Sequence, residues 1–509
     1  MNKTQVIIPM AGKSQRFYDQ GYIKPKSLIE FQGLPMIGHI LKVFENFDDI
    51  VLISNTDDAK KFELQQQVSK FHPNAIVVSI DAHNLGPSYS ILKAKDKIDK
   101  TKKVIVHYCD FSGIWDPLET ESLLNKHDGV FVAFTGFHPS KLNKTKFAYG
   151  KIDNENTLLE IREKGSFTSD PEKEFASSGI YGFKSGDILL ESIVEQISLN
   201  LHINGEFYTS LTQEVMLRKN KKIVVQPMES FFAWGTPEDL ESFIYFTESC
   251  SHIERLSVKN NSVVDHAGIV LAAGKSTRLK WINDSPKQLK NILDHNVLEY
   301  SKKLIEETSK TYLVATSKIY PNNKWNLPEA NKSILSHATE SQLASVQIGL
   351  SLLNNKDNPV TFLASDNIIL FEKSFKISEL LVNTDILVWS AANYPVAEVQ
   401  PEQYSWIKVN DENIVEDVIY KSAPIDLKNW KIMTGNFSFD SSFLLNKLID
   451  KLDEDRSKLS RELILDDLIG VALEMDLTVK AFDVPHFITL GTEMENNSFD
   501  YYFNSNKTS

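Results

Sequence analysis

Short apolar runs alternate along this chain with stretches whose apolar residues recur at helical spacing, and that alternation predicts strands separated by helices. Val6-Ile7-Ile8 is apolar on every residue, the pattern of a parallel strand buried on both faces. After the turn Gln32-Gly33, residues Leu34 to Phe44 carry a helical stripe that predicts a helix packed on the sheet. Asp49 to Ser54 and Ala75 to Ile80 read as the next strands, and Leu85-Gly86-Pro87-Ser88-Tyr89-Ser90 as a turn opening a helix. Val104 to Asp110 is a buried strand that ends on a carboxylate. Phe147 to Ile152 and Ser177 to Tyr181 are strand-like, with the polar turn Asp153-Asn154-Glu155-Asn156 and then Ile161-Arg162-Glu163-Lys164 between them. The second half repeats this order, with Ile269-Val270-Leu271-Ala272 first, Val360 to Asp366 next and Thr434-Gly435-Asn436-Phe437 later. The expected fold class is α/β and Rossmann-like, with two tandem domains, each a mainly parallel mixed sheet with helices on both faces.

The repeat is sharpest just after each first strand. Ala11-Gly12-Lys13-Ser14-Gln15-Arg16 is followed by Lys24-Pro25-Lys26-Ser27-Leu28, and Ala273-Gly274-Lys275-Ser276-Thr277-Arg278 by Ser285-Pro286-Lys287-Gln288-Leu289. An Ala-Gly loop lets the backbone approach a ligand closely, and consecutive amide N–H groups in such a loop can face phosphate oxygens. The Arg and the later Lys add two cations, so the natural partner is an anionic, phosphate-bearing ligand. Spacing extends the repeat across both halves. Gly274 follows Gly12 by 262 residues (274 − 12) and Gly491 follows Gly235 by 256 (491 − 235). Asp110 to Lys164 spans 54 (164 − 110), and Asp366 to Lys421 spans 55 (421 − 366). A whole-domain duplication is expected.

The paired loops resemble the signature of the sugar-phosphate nucleotidylyltransferases, or NDP-sugar pyrophosphorylases, in which A-G-x-[GS]-[ST]-R is followed by P-K-x-L. Phe232-Ala233-Trp234-Gly235-Thr236-Pro237-Glu238-Asp239-Leu240 is similar to a further segment of that family, D-x-G-T-P-E-D-L. The resemblance implies condensation of a nucleoside triphosphate with a sugar phosphate or related phosphorylated acceptor, releasing pyrophosphate. It implies that Ala11, Gly12, Lys13, Ser14 and Gly86 bind nucleotide in the first copy, and Ala273, Gly274, Lys275 and Ser276 in the second. Arg16, Lys26, Arg278 and Lys287 take the catalytic places. Glu163, Lys164 and Gly179, and then Tyr420, Lys421 and Gly435, take the acceptor side. Asp110 and Asp366 take the Mg²⁺ place; from the residue alone, a strand-end Asp is equally a helix cap.

Two departures qualify the expectation. The family's second metal Asp is replaced by Ala233 and by Thr489, so either Asp110 holds the ion with phosphates and water, or Asp116 or Asp239 substitutes. Aligning Lys421 with Lys164 sets Tyr420 against Glu163, which predicts an acceptor pocket in the second copy without that carboxylate. The alternative function is a nucleotide-sensing protein with one catalytic and one binding-only domain. A glycosyltransferase is disfavoured, because Tyr108-Cys109-Asp110 and Ala364-Ser365-Asp366 lack an Asp-x-Asp.

At 509 residues two domains are expected. They are assigned to residues 1–250 and 267–509, with the polar segment 251–266 as linker and a frayed polar tail from Asn496. A net charge of −13 argues against nonspecific nucleic-acid binding. Cys109 and Cys250 are too few for a disulfide framework or a cysteine-based zinc cluster. The chain shows no signal-peptide pattern and no apolar run near the ~20 residues of a membrane span, so a cytoplasmic protein with small-molecule partners is expected, a homo-oligomer being compatible.

Overall fold

In the computed structural model the chain forms two compact units, Met1–Ile244 with Asn504–Ser509, and Tyr245–Phe503. The structure describes residues 4–141, 147–256, 261–275, 286–320, 325, 327–427, 429–454 and 463–508.

The first unit is built on a nine-stranded sheet. Thr4–Pro9 lies at its centre, parallel to Asp49–Asn55 on one side and to Lys103–His107 on the other, with Ile76–Ile80 beyond Asp49–Asn55. Val6, Ile7 and Ile8 are fully buried, as an all-apolar central strand requires. Past Lys103–His107 the pairing turns antiparallel through Phe175–Phe183, which also pairs Gly129–Phe134 and Ala148–Ile152. The sheet is therefore mixed, and half of its pairings are antiparallel rather than the mainly parallel set expected. The helix expected over Leu34 to Phe44 forms as Met36–Val43 after a two-residue strand, Leu34–Pro35, and buries Met36, Ile37, Ile40 and Leu41.

The second unit repeats the topology. Ala267–Ala272 lies between Thr311–Thr316 and Val360–Ala364, both parallel to it, and Val360–Ala364 pairs antiparallel with Trp430–Phe439. Each unit adds a separate antiparallel ribbon, Phe111–Ile114 with Ser230–Ala233 and Asn367–Leu370 with His486–Thr489. Backbone geometry repeats with the topology. Asn156 and Asn413, Lys164 and Lys421, Gly179 and Gly435, and Asn220 and Asp476 all have positive φ, at separations of 257, 257, 256 and 256 residues. The duplication is thus conformational as well as sequential.

Two expectations fail on helices. Pro237–Leu256 is one α-helix, so the segment expected to begin a linker at 251 is still helical through Leu256, where Cys250, Ile253 and Leu256 bury one face. Val263 and Val264 are fully buried as well. The tail expected to fray from Asn496 lies in the helix Glu493–Thr508, because Phe499, Tyr502 and Phe503 supply a buried stripe among the polar residues. Among the described residues no helix is long and apolar enough to cross a membrane.

Phe362 is fully buried in the core of the second unit, so Phe362→Ala should cost about 3–5 kcal/mol there. Urea unfolding should show one transition displaced to lower denaturant and a second left in place; displacement of both together would mean that the units unfold as one.

Candidate functional site

The carboxyl end of each central strand carries the loop that the motif predicts. In the first unit Ala11 is buried, and Gly12 and Lys13 are exposed. Ser14 adopts a left-handed conformation with φ 53°, and its Oγ accepts a hydrogen bond from the Lys26 N–H at 3.0 Å. That bond ties the loop to the 3₁₀ turn Lys26–Leu28. Arg16 stands exposed in the short helix Gln15–Asp19. Among the described residues, a side chain on Gly12 or on Gly274 would meet nothing within 4 Å, which leaves room there for an anion to approach the loop amides.

Beneath each loop lies an ion pair. Lys26 Nζ donates to Asp110 Oδ2 at 2.6 Å, and Lys287 Nζ to Asp366 Oδ2 at 2.5 Å. Burial alone would lower the Lys26 ammonium pKa, but Asp110 and the neighbouring Cys109 hold it above the ordinary lysine value against the opposing charge of Arg16. Asp110 follows the strand Lys103–His107 by a tight connection. There the His107 ring bonds the Tyr108 carbonyl at 2.6 Å and stacks on Phe111 at 4.3 Å between centroids. Burial pushes the His107 imidazole down to about 4, so it is neutral scaffolding rather than a charge.

The ribbon sets what stands next to each carboxylate. Ala233 is in register with Phe111, beside Asp110, and Thr489 with Asn367, beside Asp366. A Cβ on Gly235 would lie 3.4 Å from Asp110 Oδ2, and one on Gly491 3.4 Å from both Asp366 Oδ2 and Thr489 Oγ1. The two candidate substitutes for the missing carboxylate have other duties. Asp116 caps the helix Pro117–Leu123 through the Leu118 N–H at 2.8 Å, and Asp239 accepts from Ser140 Oγ at 2.7 Å.

Where the sequence motif predicts the acceptor in the first unit, burial raises the Glu163 carboxyl above its ordinary range while its Oε2 accepts from Ser210 Oγ at 2.5 Å. Lys164 turns the chain with φ 55° and donates to the Tyr208 hydroxyl at 2.8 Å. Gly179, φ 93°, lies where Phe175–Phe183 shifts register against Gly129–Phe134; a Cβ there would stand 2.9 Å from the Phe111 ring, so only glycine allows this approach. Gly86 has a similar constraint: with φ 85° it lies against the Phe207 backbone, whose N a Cβ would meet at 2.8 Å.

In the second unit a cavity of about 290 Å³ gathers Gly274, Lys275, Lys287, Asp366, Lys421 and Gly435. Ala273 is buried beside it in the strand-end loop, whereas Ser276 and Arg278 lie outside the described residues. Tyr420 is not among the cavity's lining residues. Its hydroxyl accepts from the Gly470 N–H at 3.0 Å, and a Cβ on Gly470 would collide with that oxygen, so the ring is committed to the helix Asp467–Glu474. Asp466, which sequence reasoning missed, lines the cavity instead. Asp466 follows Ser210 by 256 residues (466 − 210), the interval that relates Gly491 to Gly235. The Glu163–Ser210 pair of the first unit is thus Tyr420 and Asp466 in the second, with the carboxylate moved from the strand end to the start of the helix. The duplication interval was the signal that would have found it. Glu495 also lines the cavity; it bonds the Thr492 N–H at 2.7 Å and the buried Tyr404 hydroxyl.

A mixed sheet with a small-residue loop at the carboxyl end of its central strand, over a Lys–Asp pair, is an α/β fold of the kind whose ligands gather outside the carboxyl ends of the strands. Residues 6–133, about a quarter of the chain, match the family model of the MobA-like NTP transferase domain, the stretch that contains the Gly12 loop. Among curated relatives, the chain is 25% identical over 240 residues to the bifunctional protein GlmU of Alkaliphilus metalliredigens, covering 45% of this chain and 48% of that protein. It is 26% identical over 179 residues to GlmU of Methanocaldococcus jannaschii, covering 35% and 39%. The chain spans about half or less of the length of these curated relatives. Among solved structures, a nucleoside-diphosphate-sugar pyrophosphorylase from Vibrio cholerae RC9 aligns with a TM-score of 0.41 at 17% identity, over 47% of this chain and 99% of that one.

A carboxyl group whose folded pKa is raised binds its proton more tightly folded than unfolded. The folded state therefore gains stability below the ordinary value, near 4.5 for Glu163, and loses it as pH rises through the higher folded value. Glu163→Gln removes that loss. The variant should melt at higher temperature than the parent near pH 7, with the difference vanishing near pH 4; an equal difference at both pH values would contradict the burial argument.

Proposed function

We propose that the protein is a nucleotidylyltransferase that joins a nucleoside triphosphate to a phosphorylated acceptor, each unit carrying one site. A phosphate oxygen of the acceptor attacks the α-phosphorus of the triphosphate, the bond to the β-phosphate oxygen breaks, and pyrophosphate leaves. The carrying observation is the repeated pairing of Lys26 with Asp110 and Lys287 with Asp366 beneath a phosphate-facing loop. No protein nucleophile is required. The site has to align two anions and stabilise the charge that builds between them.

In this reading the Gly12 and Gly274 amides, with Arg16 and Arg278, hold the triphosphate. Lys26 and Lys287 leave their carboxylate partners for the α-phosphate as the nucleotide enters, which keeps each buried charge paired in both states. Asp110 and Asp366 are then the residues that would hold Mg²⁺. One carboxylate in each site, joined by the Thr489 hydroxyl in the second, suits an ion that takes one or two carboxylates and completes its shell with phosphate and water. Held there, such an ion would supply positive charge to offset that of the phosphates. Lys164 and Lys421 face the acceptor phosphate. Glu163 in the first site and Asp466 in the second accept hydrogen bonds from acceptor hydroxyls.

The two sites differ in where that carboxylate stands, which supports different acceptors rather than one dead copy. A sugar phosphate is the acceptor class that best uses a buried carboxylate beside a lysine. With Mg²⁺, a panel of triphosphates and a panel of phosphorylated acceptors, Lys26→Ala combined with Lys287→Ala should lower pyrophosphate release on the order of 10²-fold or more. Each single variant should retain the other site's acceptor profile. Turnover unchanged in the double variant would overturn the assignment, and a complete loss from one single variant would mean that only that site is catalytic.

A further inference from the structure

The second unit holds a cluster of ligating side chains that the nucleotide site does not use. His252 lies near the end of the helix Pro237–Leu256, His486 opens the ribbon strand His486–Thr489, and Glu372 follows the partner strand Asn367–Leu370. One ligating atom from each of the three lies within 4.8 Å of the others. The two imidazole rings stand 3.6 Å apart between centroids at a tilt of 30°. We propose that His252, Glu372 and His486 bind a divalent transition metal of the zinc class, at a site distinct from the nucleotide pocket.

The fold brings these residues together through anchors of its own. Tyr245 lies seven residues, about two turns, before His252 on the same helix face, and its hydroxyl donates to the Phe487 carbonyl at 2.6 Å. That bond lays the helix along the ribbon strand and sets His252 over the strand's first residue. Side chains alternate along a strand, so Phe487 and Thr489, which line the cavity, point one way and His486 points the other. Cys250 and Ile253 are buried to either side of His252 in the sequence, which fixes the helix rotation.

The donor set selects the ion. Two imidazole nitrogens and one carboxylate suit Zn²⁺, with water in a fourth position, whereas Mg²⁺ prefers oxygen alone. Arg255 is the competing group: its guanidinium pairs with Glu372 Oε1 at 3.0 Å, and both side chains are more than half exposed. A bound ion takes over the Glu372 carboxylate and releases Arg255 to water, a small cost for an exposed pair. The site lies at the far end of the ribbon from the residues beside Asp366, since Leu370 pairs His486 while Asn367 pairs Thr489. Its effect is to clamp helix and ribbon within the unit, stabilising the folded state by linkage.

Equilibrium dialysis of the full chain against ZnCl₂, with Mg²⁺ as the contrasting ion, tests the proposal. The parent protein should bind a Zn²⁺ that Asp366→Asn retains and that His486→Asn and Glu372→Gln each weaken about tenfold or more. Glu372 is exposed, so its variant should fold even if His486→Asn does not. Arg255→Gln should bind Zn²⁺ more tightly than the parent, a change that a purely structural histidine pair would not produce. Zn²⁺ should raise the thermal midpoint of the parent and not of Glu372→Gln. No zinc bound by the parent, or equal binding by the parent and both ligand variants, would overturn the assignment.

Discussion

A lysine paired with a carboxylate at the end of a buried strand is the interaction around which each unit is arranged. Asp110 and Asp366 follow strands that lie next to the central strand of each sheet, and Lys26 and Lys287 come from the turn beyond the phosphate loop. Neither ion could be left alone in a part-buried cleft without a large desolvation cost, so the pair fixes loop against sheet in the absence of ligand. In the proposed function the same two charges serve an incoming nucleotide, one for phosphate and one for a cation. On that proposal, stability of the empty cleft and complementarity to the filled one rest on one contact.

The proposed acceptor side has backbone strain in matching places in the two units. A lysine with positive φ is an uncommon conformation, and among the described residues it occurs twice, at Lys164 and Lys421, each just past the strand Leu158–Glu163 or Val415–Ile419. The left-handed turn aims the ammonium away from the strand: Lys164 reaches the Tyr208 hydroxyl and Lys421 the Gln403 carbonyl. Gly179 and Gly435 lie at register shifts of the neighbouring long strand in both units. Such features cost free energy wherever they occur, and their presence in both units ties them to what the two sites have in common.

Divergence between the copies is a rearrangement within a common frame. Replacing Glu163 by Tyr420 removes a carboxylate from the strand end, and Asp466 at the position of Ser210 supplies one from the helix. The phenol then finds a structural partner in the Gly470 amide, an arrangement that the absence of a Cβ on Gly470 permits. Comparison of single aligned positions shows a loss here; comparison of the pair shows an exchange.

Local features of the chain determined much of this protein. Apolar runs such as Val6-Ile7-Ile8, the Ala-Gly loops, the strand-end aspartates and the 256-residue interval specify two α/β units and the loop and carboxylate at the strand ends of each, because burial, turn chemistry and repeat spacing are written in contiguous residues. The helical tail past Asn496 was hidden by its polar composition, since a stripe of Phe499, Tyr502 and Phe503 becomes a helix only with a surface to cover. Three things were decided only by tertiary structure: the even mixture of parallel and antiparallel pairing, the entry of Asp466 into the cavity with the withdrawal of Tyr420, and the meeting of His252, Glu372 and His486. The second and third depend on residues 46 or more positions apart (466 − 420 for the closest), and no local pattern encodes which distant side chains will share a face once the sheets have formed.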